Sequence, residues 1–232
     1  MTDQRTLTRL IERWEIYHDF SSGHTPDNLP WAFGPLDHLK AVVSSGKVPK
    51  GKALDVGCSV GQQTVFLAKK GFDCLGIDIS PSAIINASES VEGLDLPCRF
   101  LVMDALDLRL PDSEFDFILD RNCFDHVPKQ YRPVYAQNID RVMKPEGRFL
   151  LYYLSDKNTA KHLPRIARSD IHTTFIPFFE IEETSEVYVN IDTHRLIPPS
   201  GAYMDFHGVK NGLTDLKDMP VFLDALIMRK KQ

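Results

Sequence analysis

The run Leu54-Asp55-Val56-Gly57-Cys58-Ser59-Val60-Gly61 constrains this chain more than any other segment. Residues 52–57 form a short apolar run of strand length, glycines punctuate the next few positions, and residues 61–70 carry helical spacing. A strand, a glycine turn and a helix in direct succession open a βαβ unit. Glycine lets the backbone approach a ligand closely, and the helix start presents unpaired N–H groups and a partial positive charge to an anionic group.

The pattern then repeats. Strand-like runs at 73–78, 98–103, 115–120 and 147–154 alternate with amphipathic stretches at 81–90 and 129–143. Such alternation predicts a parallel sheet with crossover helices. Pro81 suits a helix start, where its missing N–H would have no partner, and Pro145-Glu146-Gly147 predicts a turn into the fifth strand. Ahead of this core, Leu7, Leu10, Ile11, Trp14 and Tyr17 fall at helical spacing within 3–18, and Leu36 to Ser45 predicts a second helix ended by Gly46. Residues 21–35 between them are loop-like.

After Asp156 the alternation loosens: a helix is predicted over 158–169, strands over 177–191 and 221–228, and an irregular stretch over 192–219. A long irregular segment inside a compact domain points to function. The expected architecture is therefore α/β: a doubly wound, Rossmann-like, mostly parallel seven-stranded sheet with N-terminal helices and an irregular C-terminal cap segment. A length of 232 residues suits one domain over 1–232. Within it, 1–46 would be helices and a lid, 47–155 a cofactor-binding core, and 156–232 a substrate-covering segment with the last strands.

Charge and composition narrow the partners. With 27 basic and 32 acidic residues the formal charge is −5, and only Arg229-Lys230-Lys231 is locally basic, which disfavours nucleic-acid binding by counterion release. No stretch approaches the ~20 apolar residues of a membrane span, and Met1 to Phe20 has no signal-peptide core. Cys58, Cys74, Cys98 and Cys123 show no Cys-x-x-Cys spacing and suit small buried hydrophobes in a reducing cytoplasm. His162, His172 and His194 have no partners at ligand spacing, so no metal is expected.

Chemistry concentrates at the strand ends. The second strand ends in Asp78, about twenty residues beyond the turn, where a carboxylate can accept two hydrogen bonds from a ribose diol. The third ends in Met103-Asp104-Ala105, where a carboxylate can reach an exocyclic amine. The fourth ends in Asp120-Arg121-Asn122. Strand carboxyl ends line the crevice of a doubly wound sheet, so Asp55, Asp78, Asp104 and Asp120 converge on one cleft. Capping of helix starts is the competing use of each aspartate.

The run Leu54 to Gly61, together with Gly76-Ile77-Asp78-Ile79-Ser80-Pro81-Ser82-Ala83-Ile84, resembles the class I S-adenosylmethionine (SAM)-dependent methyltransferases. Val142-Met143-Lys144-Pro145-Glu146-Gly147-Arg148-Phe149-Leu150-Leu151 is similar to their turn into strand five, and the resemblance covers residues 29–155. Pro30-Trp31-Ala32-Phe33-Gly34-Pro35 before a helix is similar to the thiopurine/tellurite-type small-molecule members. The resemblance implies SAM as cofactor, S-adenosylhomocysteine as product and a small organic acceptor with an S, N or O nucleophile. It implies that Asp55, Gly57, Cys58, Ser59, Gly61 and Gln62 surround the methionine part, with Asp78 and Ile79 at the ribose. Met103, Asp104 and Ala105 would flank adenine, Asp120 and Arg121 would lie near the amino group and the methyl, and Trp31 would fold over the cofactor. One departure stands out: Gly57-x-Ser59-x-Gly61 carries a hydroxymethyl group where the family has its central glycine.

That substitution creates rivals. Gly57-Cys58-Ser59-Val60-Gly61 also fits a Gly-x-Ser-x-Gly nucleophile elbow, with His126 or His207 to serve as base. No upstream His-Gly-Gly-type segment accompanies it, and the acidic strand ends would go unexplained. A nicotinamide dehydrogenase wants Gly-x-Gly-x-x-Gly, which is missing. A fold that binds SAM without turnover is the remaining alternative. For methyl transfer, alignment supplies much of the rate, and a base is needed only for a protonated acceptor. Asp125 and His126 are the candidates, against the simpler use of 125–128 as a helix start. His207, with Tyr203 and Asp205, lies in the late irregular segment, and Phe175, Phe178, Phe179 and Tyr188 could serve either the core or an acceptor pocket.

Overall fold

Strand β1 (Lys52–Val56) carries four consecutive buried residues after its first, because it lies inside a sheet covered on both faces. The computed structural model describes residues 4–18, 29, 34–158, 166–190 and 220–231. Seven strands form one sheet in the order β3-β2-β1-β4-β5-β7-β6. Beside β1 these are β2 (Asp73–Asp78), β3 (Cys98–Val102), β4 (Phe115–Arg121), β5 (Met143–Leu154), β6 (Phe179–Asn190) and β7 (Pro220–Lys230). The first five pair in parallel, and β7 is antiparallel to both of its neighbours. The chain order reverses between β1 and β4, and that switch opens a crevice at the carboxyl ends of the strands.

Among the described residues six α-helices accompany the sheet: α1 (Gln4–His18), α2 (Asp37–Ser44), α3 (Gln62–Lys69), α4 (Pro81–Glu89), α5 (Arg132–Val142) and α6 (Arg168–Phe175). Alternate residues of one strand serve opposite cores. On β4, Ile118 joins Phe124, Tyr135, Phe149 and Phe175, whereas Phe117 and Leu119 join Leu39, Val42, Leu67 and Tyr152. Each fully buried large side chain contributes about 1.5–3 kcal/mol of transfer free energy.

The helix expected over 158–169 falls mostly on residues 159–165, which lie outside the described set; a described helix follows at Arg168–Phe175, and Ile166 N–H ahead of it bonds to the Leu154 carbonyl at 3.4 Å. The fifth strand starts at Met143 rather than 147, since Met143 pairs with Phe115 before the register shifts. The irregular stretch 192–219 lies outside the described residues.

Candidate functional site

The turn after β1 is pinned from below. Gly57 N–H and Cys58 N–H both donate to the Ile77 carbonyl, at 2.8 and 2.9 Å. Gly57 has a φ of +71°, and a Cβ there would stand 2.5 Å from Cys123 Cβ. Gly61, at +79°, presses on the Phe100 ring, so both glycines answer packing needs of the fold itself. Ser59 takes a φ of +51° although it bears a side chain, a conformation that disfavours L-residues by roughly 1–2 kcal/mol. Its N–H donates to Asp78 Oδ2 at 2.9 Å, and its hydroxyl meets His18 Nε2 at 2.8 Å.

The strand-end carboxylates divide into two kinds. Asp78 is half-buried and accepts one backbone N–H on each oxygen, from Ser59 and from Ser80 at 3.0 Å. A carboxylate oxygen has capacity for a second donor, so Asp78 can still take hydroxyls from the cleft. Asp104 is also half-buried, and Oδ1 accepts the Leu106 N–H. Asp55 and Asp120 are interior. Asp55 accepts the Thr64 hydroxyl at 2.6 Å, and burial raises its pKa to about 6, opposed by Thr64 and Arg121. Burial in turn lowers Arg121 to about 10, opposed by Asp55.

Asp120 is fully buried and serves its own chain. It accepts Cys123 N–H at 2.8 Å, Phe124 N–H at 3.0 Å and the Tyr135 hydroxyl. Burial raises its pKa to about 8 against the pull of these donors. Both Asp125 oxygens lie within bonding distance of Leu154 N–H, and Oδ2 also accepts from Asn122 at 2.7 Å. Burial raises Asp125 to about 7. Asp120 and Asp125, expected beside the reacting group, are both buried and fasten the turn after β4 to α5 and to the end of β5. His126, by contrast, is half-buried with its ring edge-on to Trp14 at 4.7 Å.

At or just beyond the carboxyl ends of β1 to β4, Ser59, Asp78, Ile79, Met103, Asp104, Ala105, Arg121 and His126 are each half-buried. Cys58 is buried beneath it. Gln62 Oε1 accepts the Gly34 N–H at 3.1 Å, holding the chain that enters α2 against the start of α3. Trp31, Tyr203, Asp205 and His207 lie outside the described residues. Phe175 and Phe179 are fully buried in the core, whereas Tyr188 is 57% exposed on β6, so these aromatic residues do not form one pocket.

Sequence reasoning missed what α1 does. Glu15 accepts the Ser80 and Ser82 hydroxyls at 2.6 Å each and the Ser82 N–H at 3.1 Å, clamping the start of α4. Ser80 in turn accepts Ala83 N–H at 3.1 Å as the cap of that helix, with Pro81 in the first turn. Burial raises the Glu15 carboxyl, but the serine bonds outweigh it and hold the group below the carboxylate norm. His18, 2% exposed, places Nδ1 3.0 Å from the Trp14 carbonyl, which can only accept. Nδ1 therefore carries the proton in the neutral ring, and Nε2 accepts from the Ser59 hydroxyl. Burial lowers the His18 pKa, and Asp78 pulls it back up. The pair has the donor geometry of an activated serine, but His18 Nδ1 faces a backbone carbonyl instead of a carboxylate. The one signal in the sequence was Trp14, Glu15 and His18 gathered on the last turn of α1.

Residues 54–151 match the family described as a methyltransferase domain. The chain is 38% identical over 152 residues to a 2-methyl-6-phytyl-1,4-hydroquinone methyltransferase of Synechocystis sp., a match that covers 62% of this chain. It spans about half of that relative's length, 47%. A solved structure from work on converting a disulfide bond into a thioacetal group during echinomycin biosynthesis superposes with a TM-score of 0.74 at 20% identity, covering 96% of this chain and 92% of that one. A TehB-like SAM-dependent methyltransferase of Corynebacterium glutamicum superposes at 0.56 and 18% identity, over 99% of this chain and 100% of the other.

Proposed function

We propose that this chain, whose residues 54–151 match a methyltransferase domain, is a class I SAM-dependent methyltransferase that transfers the methyl group of SAM to a small organic acceptor. The observation that carries the reading is Asp78. A half-buried carboxylate at the end of β2 is fixed by the N–H groups of Ser59 and Ser80, beside the glycine turn and inside the matched segment. Two fixed oxygens with spare accepting capacity suit a vicinal diol.

The donor set along the edge fits the cofactor. The turn from Gly57 to Gly61 would hold the methionine part and Asp78 the ribose. Ile79 would lie beside Asp78 at the ribose, Met103, Asp104 and Ala105 would border adenine, and Arg121 would lie toward the methyl, with Trp31 assigned to the cover. When bound, SAM supplies an electrophilic methyl on a cationic sulfur. The chain's own contribution is alignment and exclusion of water. His126, half-buried beside Trp14, takes the proton from an acceptor that still carries one, and Asp125 positions it by fastening the corner to Leu154.

The whole of 1–232 acts as one domain in this reading, with α1 and the entry to α2 as lid and the residues after 156 over the acceptor. No described helix is long and apolar enough to cross a membrane. Four cysteines that are all free support a reducing, cytoplasmic setting. Titration calorimetry with SAM tests the proposal: absence of binding at millimolar concentrations refutes it. A methyl-release screen against thiols, phenols and amines then separates turnover from mere binding.

A further inference from the structure

The hydroxymethyl group at position 59 is both costly and engaged. Its backbone sits at a φ of +51°, where glycine would be unstrained, yet the side chain it gains is bonded to His18, 41 residues away on α1. Three contacts bring the last turn of α1 down onto the crevice. Glu15 grips the start of α4, His18 rests on the glycine turn, and Trp14 meets His126 beyond β4. Asn86 Nδ2 adds a bond to the His18 carbonyl at 3.3 Å. Of these, only the His18 contact lands on the turn itself, on the residue whose N–H fixes Asp78.

We infer that His18 and Ser59 form a latch that couples docking of α1 to occupancy of the cofactor cleft, with His18 a positioning residue for the cofactor. The inference rests on the SAM-binding reading above. Ser59 is a member of both arrangements: its N–H orients the diol-binding carboxylate and its hydroxyl holds the helix that covers it. Cofactor contact that steadies the turn therefore steadies the latch, and by thermodynamic linkage a closed latch favours the cofactor to the same extent. A glycine at 59 would keep the N–H that fixes Asp78 but would lose the hydroxyl that His18 meets.

The test uses the full chain with S-adenosylhomocysteine as ligand, so that turnover does not intervene. Ser59→Gly relieves the strained φ, so it folds at least as readily while removing the hydroxyl that His18 meets. Calorimetry should show ligand affinity falling at least threefold in Ser59→Gly and in His18→Ala. The double variant should lose no more than the worse single one, because both remove the same bond. Hydrogen exchange of α1 should slow on ligand addition in the wild type and much less in Ser59→Gly. Equal affinity in Ser59→Gly and wild type, with the same ligand-induced protection of α1, overturns the latch and leaves the SAM reading intact. Tighter binding in either variant also overturns it, since His18 would then be obstructing the cleft. No binding by the wild type overturns both.

Discussion

Replacing Gly57 by alanine tests whether the turn is built around packing. The new Cβ would stand 2.5 Å from Cys123 Cβ and 2.9 Å from its Sγ. The sulfur can rotate away, but Cβ is fixed to the backbone of the segment that Asp120 fastens. Relief therefore requires the β1 turn or the β4 corner to move. The positive φ of +71° adds roughly 1–2 kcal/mol, and overpacking adds about 1–3 kcal/mol. A total of roughly 2–5 kcal/mol lowers the melting temperature of a domain this size by about 5–15 °C. Thermal melts of Gly57→Ala, Cys123→Gly and the double variant close a cycle in which the clash appears as a favourable coupling of about 1–3 kcal/mol. Gly61→Ala meets buried Phe100 ring atoms at 2.7 Å and Ala87 Cβ at 3.1 Å, with a φ of +79°, so a loss of the same order is expected there. A Gly57→Ala melting point within about 2 °C of wild type, or no coupling to Cys123, refutes the argument.

Three further outcomes are expected. Asp78→Ala should weaken S-adenosylhomocysteine binding at least tenfold, about 1.4 kcal/mol, and unchanged affinity by calorimetry would show that the β2 carboxylate does not serve the ligand. Tyr135→Phe removes a donor to the buried Asp120 and should cost about 1.5–3 kcal/mol in urea unfolding while leaving ligand affinity unchanged; the reverse pattern would return Asp120 to the cleft. Asp125 has a folded pKa of about 7, above the ~3.9 of an unfolded chain, so its contribution to stability is full below about pH 4 and is lost as pH rises through 7. Asp125→Asn should therefore gain on wild type between pH 5 and pH 8 in urea titrations, and a flat difference would contradict the raised pKa.

The sheet was legible because its signal is local. Each central strand is a short apolar run buried on both faces, and each crossover helix has its own periodicity, so β1 to β4 fell within a residue or so of their expected bounds. The turn was legible for the same reason. The role of each carboxylate was not, since a strand-end aspartate looks the same whether its partner is a ligand or a backbone N–H four residues on, as at Asp120 and Phe124. Nor was α1, whose amphipathic pattern fixes a helix and a face but not its destination. Its decisive contacts reach 41 to 67 residues along the chain, to Ser59, Ser80 and Ser82.

The two kinds of carboxylate follow from position in the sheet. β1 and β4 occupy its middle, where Asp55 and Asp120 are buried and are met by Thr64, Arg121, Tyr135 and backbone amides. β2 and β3 lie toward one edge, where Asp78 and Asp104 keep partial access to the crevice. Accessible carboxylates are thus gathered on the β2–β3 side, while Arg121 and His126, the latter edge-on to Trp14, lie at and beyond the end of β4. In the proposed reading a ligand diol would meet Asp78, because Asp78 and Asp104 keep carboxylate oxygens with partial access, whereas Asp55 and Asp120 give theirs to Thr64, Tyr135 and the backbone N–H groups of Cys123 and Phe124.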